Sequence, residues 1–326
     1  MTAQAPQLTL SPPLLAPAVV AYESAPVVKV QRKIRRRFTH LSTHMPNPVQ
    51  MFDRIVIHPI AWPEEALRWM GVPRRLPSTP SSKGAALPPA TMSAALRKTY
   101  DNVAEVLRSG EHVPREDLSN LVVEAFAAIA EVQNVNIYHR AKAYLSLGDM
   151  RVRVEPMHGF SGSGIAPVLA YLDEPFRRAQ RAKLMCWRGT HAEGHEAHQQ
   201  EDRVDVMDAV LLLAYAQEHR RWSAPPDAAG NHTTRVMYPN TSGGAMIVLT
   251  AITPAETLAG IQDGHEILTR IRFSRQTFQI VAEDRKWASS PLLQFIWSLV
   301  EEGGRLAVKA PAPRWPIGPW AWTTHF

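Results

Sequence analysis

The sequence predicts an α+β domain, and three observations carry that prediction. The segment 204–222, VDVMDAVLLLAYAQEHRRW, is apolar on almost every face of a helix, the pattern of a helix buried all round. MRVRV at 150–154 and the run from Ala245 to Ile252 have the alternation or continuity of strands. Strands and helices intermix along the chain with no internal repeat.

In chain order, residues 1–26 read as an extended or disordered arm, with Pro at 6, 12, 13, 17 and 26. Its leucines and valines are too apolar for a purely solvating tail, so the arm is expected to pack on a neighbouring subunit. VVKVQRKIRRRFT, 27–39, alternates with period two. Val28, Val30, Ile34 and Phe38 form one face, and Lys29, Gln31, Lys33, Arg35, Arg37 and Thr39 the other. Arg32 and Arg36 interrupt the apolar face. This is the pattern of a half-buried strand lined with cations. RIVIH at 54–58 reads as a second strand, and the segment from Pro63 as a short helix. Residues 71–90 are rich in Pro and Ser and read as a mobile basic loop or insertion.

Thr91 is the expected cap of a helix that Gly110 ends. Pro114 starts a second helix, with Glu116 and Asp117 in its first turn. HGFSGSG, 158–164, reads as a flexible glycine loop. Residues 167–187 read as a helix with Arg177, Arg178, Arg181 and Lys183 on its wet face. Residues 188–204 are a polar insertion, and SAPPDAAGNHTT, 223–234, is a loop. Strands are expected at Ala245–Ile252, Ile267–Phe273 and Thr277–Ala282. A helix is expected from Pro291 to Glu302, stopped by Gly303–Gly304. The domain thus runs over 27–310, followed by a Pro/Trp-rich tail at 311–326.

Composition narrows the function. The chain has 326 residues and a formal charge of +6, which raises the expectation of an anionic partner. The lone cysteine, Cys186, excludes an internal disulfide framework or a Cys-based zinc site and favours a reducing compartment, the cytoplasm. No apolar stretch reaches the roughly 20 residues that a bilayer span needs, and the Pro-studded N-terminus does not read as a signal peptide.

The histidines His191, His195 and His198 lie among carboxylates, and His at i and i+4 on a helix can share a metal. The order HAEGHEAH is not HExxH, however, and Gly189 and Gly194 weaken a helix there. The segment reads as a solvated loop, with no metal or cofactor assigned. The glycines of 158–164 have neither GxGxxG nor GK[ST] spacing, no GxSxG occurs, and Cys186 reads as an inert buried thiol. The cations remain. The candidate RNA-binding set is Lys29, Arg32, Lys33, Arg35, Arg36, Arg37, His40, Lys83, Arg97, Lys98, Arg140, Lys142, Arg151 and Arg153. A strand seldom carries so many like charges without a polyanion to neutralise them. Phe38, Tyr138, Tyr144 and Phe160 lie near these basic runs, where aromatic rings can stack on bases.

Three segments resemble the repeating backbone subunit of CRISPR effector complexes, in the RAMP superfamily. KVQRKIRRRFTHLSTH, from residue 29, is similar to that family's opening strand and polar turn. LPPATMSAALRKTY, 87–100, is similar to its Pro-Ser/Thr turn leading into a helix, and PLLQFIWSLVEEGGRLAVKAP, from 291, to its late helix closed by Gly-Gly. AYLSLGDMRVRVEP is a fainter echo of a mid-chain turn and strand. Together they cover about a fifth of the chain. PAPRWPIGPWAW stands where the family has a glycine-rich loop. The resemblance implies an RRM/ferredoxin-like palm with helical and loop insertions. It implies a non-catalytic subunit that binds guide RNA by its backbone and polymerises with copies of itself and other effector subunits on a nucleic-acid target. The alternatives are a metal-dependent enzyme using His191, His195 and His198, and a DNA-binding or structural protein of a phage or mobile element.

Overall fold

The computed structural model describes residues 93–139, 142–147, 150–162, 166–186, 204–222, 226–241, 243–263, 271–280 and 289–309, with Leu67, Leu76, 78–80, 87–88 and Ala224. The expected basic strand at 27–39, the strand at 54–58, most of the helix from Pro63, the His191–His198 cluster and both termini lie outside the described residues.

The class is mixed α+β. The elements are β1 (Ser78–Pro80), α1 (Ala94–Ser109), α2 (Arg115–Gln133), β2 (Tyr138–His139), β3 (Ala143–Leu147), β4 (Met150–Val154), β5 (His158–Ser161) and β6 (Pro167–Tyr171), then α3 (Glu174–Cys186), α4 (Val206–Arg221), β7 (Asn231–Pro239), β8 (Ala245–Pro254), α5 (Ala255–Asp263), β9 (Arg272–Gln279) and α6 (Pro291–Lys309). Seven strands form one sheet in the order β1-β9-β8-β7-β6-β5-β2, and β3 and β4 form a separate hairpin. β7, β8 and β9 are antiparallel neighbours, while β6 and β7 are parallel and joined through α3 and α4.

Both faces of the central strands are dry, and the alternation along each strand explains how. On β8, Ile247, Leu249 and Ala251 enter one core with Val236 and Tyr238 of β7 and the apolar residues of α4. Met246 and Val248 enter a second core with Met237, α1, α2 and α6. A strand buried on both faces reads as a continuous apolar run, which is why residues 245–249 show no polar break. α4 has sheet beneath it and the β3 side of the hairpin above it, so every residue from Met207 to His219 is buried.

Local chemistry sets the helix ends. Ser93, rather than Thr91, caps α1: its hydroxyl accepts from the Leu96 amide at 3.1 Å. Gly110 closes α1 at φ 75° and Asn134 closes α2 at φ 52°, both left-handed caps. Asp205 caps α4 by accepting from the Met207 amide at 2.8 Å.

Several expectations need correction. Residues 158–161 are a buried strand, not a loop: Phe160 stacks on Phe126 of α2 with ring centroids 4.0 Å apart. Residues 167–171 are a fully buried strand, and the helix begins only at Glu174. Arg177 is on no wet face; it is 1% exposed. The loop expected through residue 234 ends earlier, because β7 starts at Asn231. In place of two strands at 267–273 and 277–282 there is one described strand, Arg272–Gln279. Ser78–Pro80, within the expected basic loop, pairs in parallel with β9. α6 does not stop at Gly303–Gly304 but continues to Lys309. The backbone of Gly303 packs closely on Gly162, just past β5, where a Cβ would lie 2.7 Å from the Gly303 Cα.

Candidate functional site

The hairpin β3–β4 has two chemically distinct faces. Antiparallel partners share a face, and here Ala143 pairs with Val154 and Leu145 with Val152. Ala143, Leu145 and Val154 are buried against α4. The next register positions, Tyr144 with Arg153 and Ser146 with Arg151, belong to the opposite, solvent-facing side. The sequence AYLSL/MRVRV therefore encodes an apolar inner face and a cationic outer face in ten residues.

On that outer face the Arg151 guanidinium lies over the Tyr144 ring, 4.1 Å from its centroid. Such a pair is attractive and pre-orders a long cation. Arg153 is paired with Glu155. Lys142, Arg151 and Arg153 are all exposed. Among the described residues, neither Arg151 nor Arg220 has a carboxylate partner.

Gln217 fixes the hairpin on α4. Its side-chain oxygen accepts from the Ser146 amide at 2.7 Å, and its nitrogen donates to the Ser146 carbonyl at 2.8 Å. One side-chain amide thus imitates a neighbouring strand along the edge of β3 that faces away from β4. This places the last turn of α4 beside the hairpin. A cleft of about 380 Å³ opens between them, lined by Tyr144, Ser146, Arg151, Gln217, Glu218, Arg220, Arg221 and Gln262. Glu218 is held from two sides: it accepts from the Trp222 indole at 2.8 Å and lies 3.7 Å from Arg221.

Of the candidate RNA-binding residues, the structure brings Arg151 and Arg153 together on the hairpin, with Lys142 just ahead of β3. Arg97 and Lys98 are exposed on α1, across the sheet from the hairpin. Lys29, Arg32, Lys33, Arg35, Arg36, Arg37, His40, Lys83 and Arg140 lie outside the described residues. Of the aromatics near basic runs, Phe160 is core, Tyr138 is exposed on edge strand β2, and Tyr144 joins the site. Sequence reading missed Arg220 and Arg221. The signal was present as two cations in the last turn of a buried helix, but a helix end attracts such residues for its own dipole.

A second charged cluster lies inside the fold. Arg177 of α3 donates twice to one oxygen of Asp208, at 2.7 and 3.1 Å, and lies over the Tyr238 ring at 4.4 Å. Arg181 pairs with Asp205, the cap of α4. Burial raises the Asp205 carboxyl, but Arg181 and Arg177 outweigh it and hold it below its ordinary value. Burial lifts Asp208 to about 7 against the pull of Arg177, and Asp205 adds to the rise. The cluster ties α3, α4 and β7 together.

No protein-family model matches the chain, and no curated protein matches it in sequence. Among the described residues, no helix is long and apolar enough to cross a membrane.

Proposed function

We propose that the chain is a non-catalytic RNA-binding subunit of a CRISPR effector complex, holding guide RNA by its phosphates and assembling with copies of itself. The observation that carries this reading is the outer face of β3–β4, where Arg151 stacks on Tyr144 with Arg153 and Lys142 alongside. Aromatic–cation faces of this kind suit single strands, because rings stack on bases while cations meet phosphates. The sequence resemblance supplies the guide RNA and the repeating assembly. The cytoplasm as compartment rests on the single cysteine.

The ferredoxin-like palm is part of the same proposal. The succession β6, helices, β7, β8, α5, β9 has the β-α-β-β-α-β series of that fold. The strand order departs from that fold: the strands lie sequentially in the sheet and β6 pairs directly with β7, where a split β-α-β unit holds another strand between them. Both faces of the central strands are covered, so RNA would be met by the hairpin and not by an open sheet face.

The test is binding of single-stranded RNA to the full chain and to the double variant Arg151→Glu, Arg153→Glu, over a range of salt. The variant should bind more weakly, and its log–log salt slope should fall by about 0.7 for each lost phosphate contact. An unchanged slope in a folded variant would remove the hairpin from the RNA interface.

A further inference from the structure

We infer that the cleft between the hairpin and the last turn of α4 receives a single nucleotide, its base against the Tyr144–Arg151 pair and its phosphate on Arg220 and Arg221. The inference rests on the nucleic-acid reading above and names the site within it. At about 380 Å³ the cleft is near the small end of the ~300–1,000 Å³ of small-molecule sites, suited to one nucleotide. Its chemistry is divided as a nucleotide's is. At one side the Arg151 guanidinium lies over the Tyr144 ring, 4.1 Å from its centroid. The exposed guanidinium offers its outer plane to a base.

At the other side, Arg220 and Arg221 come from consecutive positions of α4, and Gln262 of α5 faces Arg220 at 3.5 Å. The opposing terms are smaller. The C-terminal end of a helix carries about half a negative charge, and Glu218 adds one. Three arginines outweigh both. Glu218 is also engaged by the Trp222 indole and by Arg221, so its charge is partly compensated within the protein.

The shared chemistry is a phosphorylated nucleoside, either a residue of a bound strand or a free nucleotide. The strand is favoured because Tyr144, which lines the cleft, pairs in register with the exposed Arg153 on the same face of the hairpin.

The experiment titrates the full chain with adenosine monophosphate, adenosine, inorganic phosphate and a short oligoadenylate, by calorimetry. The monophosphate should bind about tenfold or more tighter than adenosine or phosphate, since stacking and charge both contribute. Arg151→Ala should reduce it to the level of phosphate, and the pair Arg220→Ala, Arg221→Ala to the level of adenosine. The oligoadenylate should weaken in both variants. These side chains are exposed, and unchanged melting curves check that the variants fold. Monophosphate binding no tighter than phosphate would overturn the inference. If the oligoadenylate then still binds with its dependence on Arg151 and Arg153, the RNA reading survives alone. Binding of the monophosphate with none of the oligoadenylate would overturn both the RNA reading and the strand placement.

Discussion

Gly162, just past β5, and Gly303, inside α6, meet backbone to backbone. A Cβ on Gly162 would lie 2.7 Å from both the carbonyl carbon and the Cα of Gly303. A Cβ on Gly303 would meet only ordinary or slightly tight neighbours, Gly162 Cα at 3.3 Å and Val168 Cγ1 at 3.4 Å. The contact is therefore asymmetric. Gly162→Ala should destabilise by about 1–3 kcal/mol, because backbone must move. Gly303→Ala should be close to neutral, since the helix gains roughly 1 kcal/mol of propensity against mild crowding. Denaturant melts of the two variants check this; equal losses would refute the asymmetry.

Arg177 and Asp208 are each 1% exposed and hydrogen-bonded to each other. Removing the carboxylate leaves a guanidinium that cannot give up its charge, so Asp208→Ala should cost about 3–5 kcal/mol. Arg177→Met should cost less, because Asp208, already lifted to about 7, can take a proton. The double variant Arg177→Met, Asp208→Leu should be more stable than Asp208→Ala. A double-mutant cycle by chemical denaturation measures all three, and strict additivity would count against the pair.

His219 and His232 lie edge to face with centroids 6.0 Å apart, and both are buried. Burial lowers both; His232 falls to about 4, with His219 and Arg220 adding to the drop. The unfolded chain takes up protons near pH 6.5, while the folded one stays neutral. Stability from these groups is full above that pH and is lost as pH falls toward 4. Asp208 titrates in the same window with the opposite sign, so the comparison needs a variant. The melting temperature of His232→Leu relative to the wild type should climb as pH drops from 7.5 to 5. Parallel curves would show that His232 takes up its proton over the same pH range in the folded and the unfolded chain.

Gln217 should act on binding through position alone. Gln217→Leu keeps the volume but loses both bonds to Ser146, leaving that backbone's donor and acceptor without the amide. RNA affinity should fall several-fold while the salt slope stays unchanged, because no phosphate contact is removed. A changed slope would mean that the cations themselves had moved.

Much of the scaffold was legible as pattern. α1, α2 and α4 announce themselves by helical stripes and by Gly110 and Pro114 at their ends, and β4 and β8 by period and apolar continuity. β6 was not legible: PVLAY is five buried residues with no alternation, and such a run fits a helix as well as a strand. HGFS failed for a different reason. Its glycine and serine look like loop chemistry until Phe126 and α6 are brought against them.

By itself, then, the chain determines most of its helices, the strands β4 and β8, and that Arg151 and Arg153 share one face of β4. Those are consequences of period, and period is local. Tyr144 joins that face only through the hairpin register. Only the tertiary structure decides that Arg177 is buried, because its partner Asp208 lies 31 residues away. It alone decides that Arg220 and Arg221 border Tyr144. That meeting depends on one amide, Gln217, reaching a backbone 71 residues distant, and no local pattern encodes such a bond.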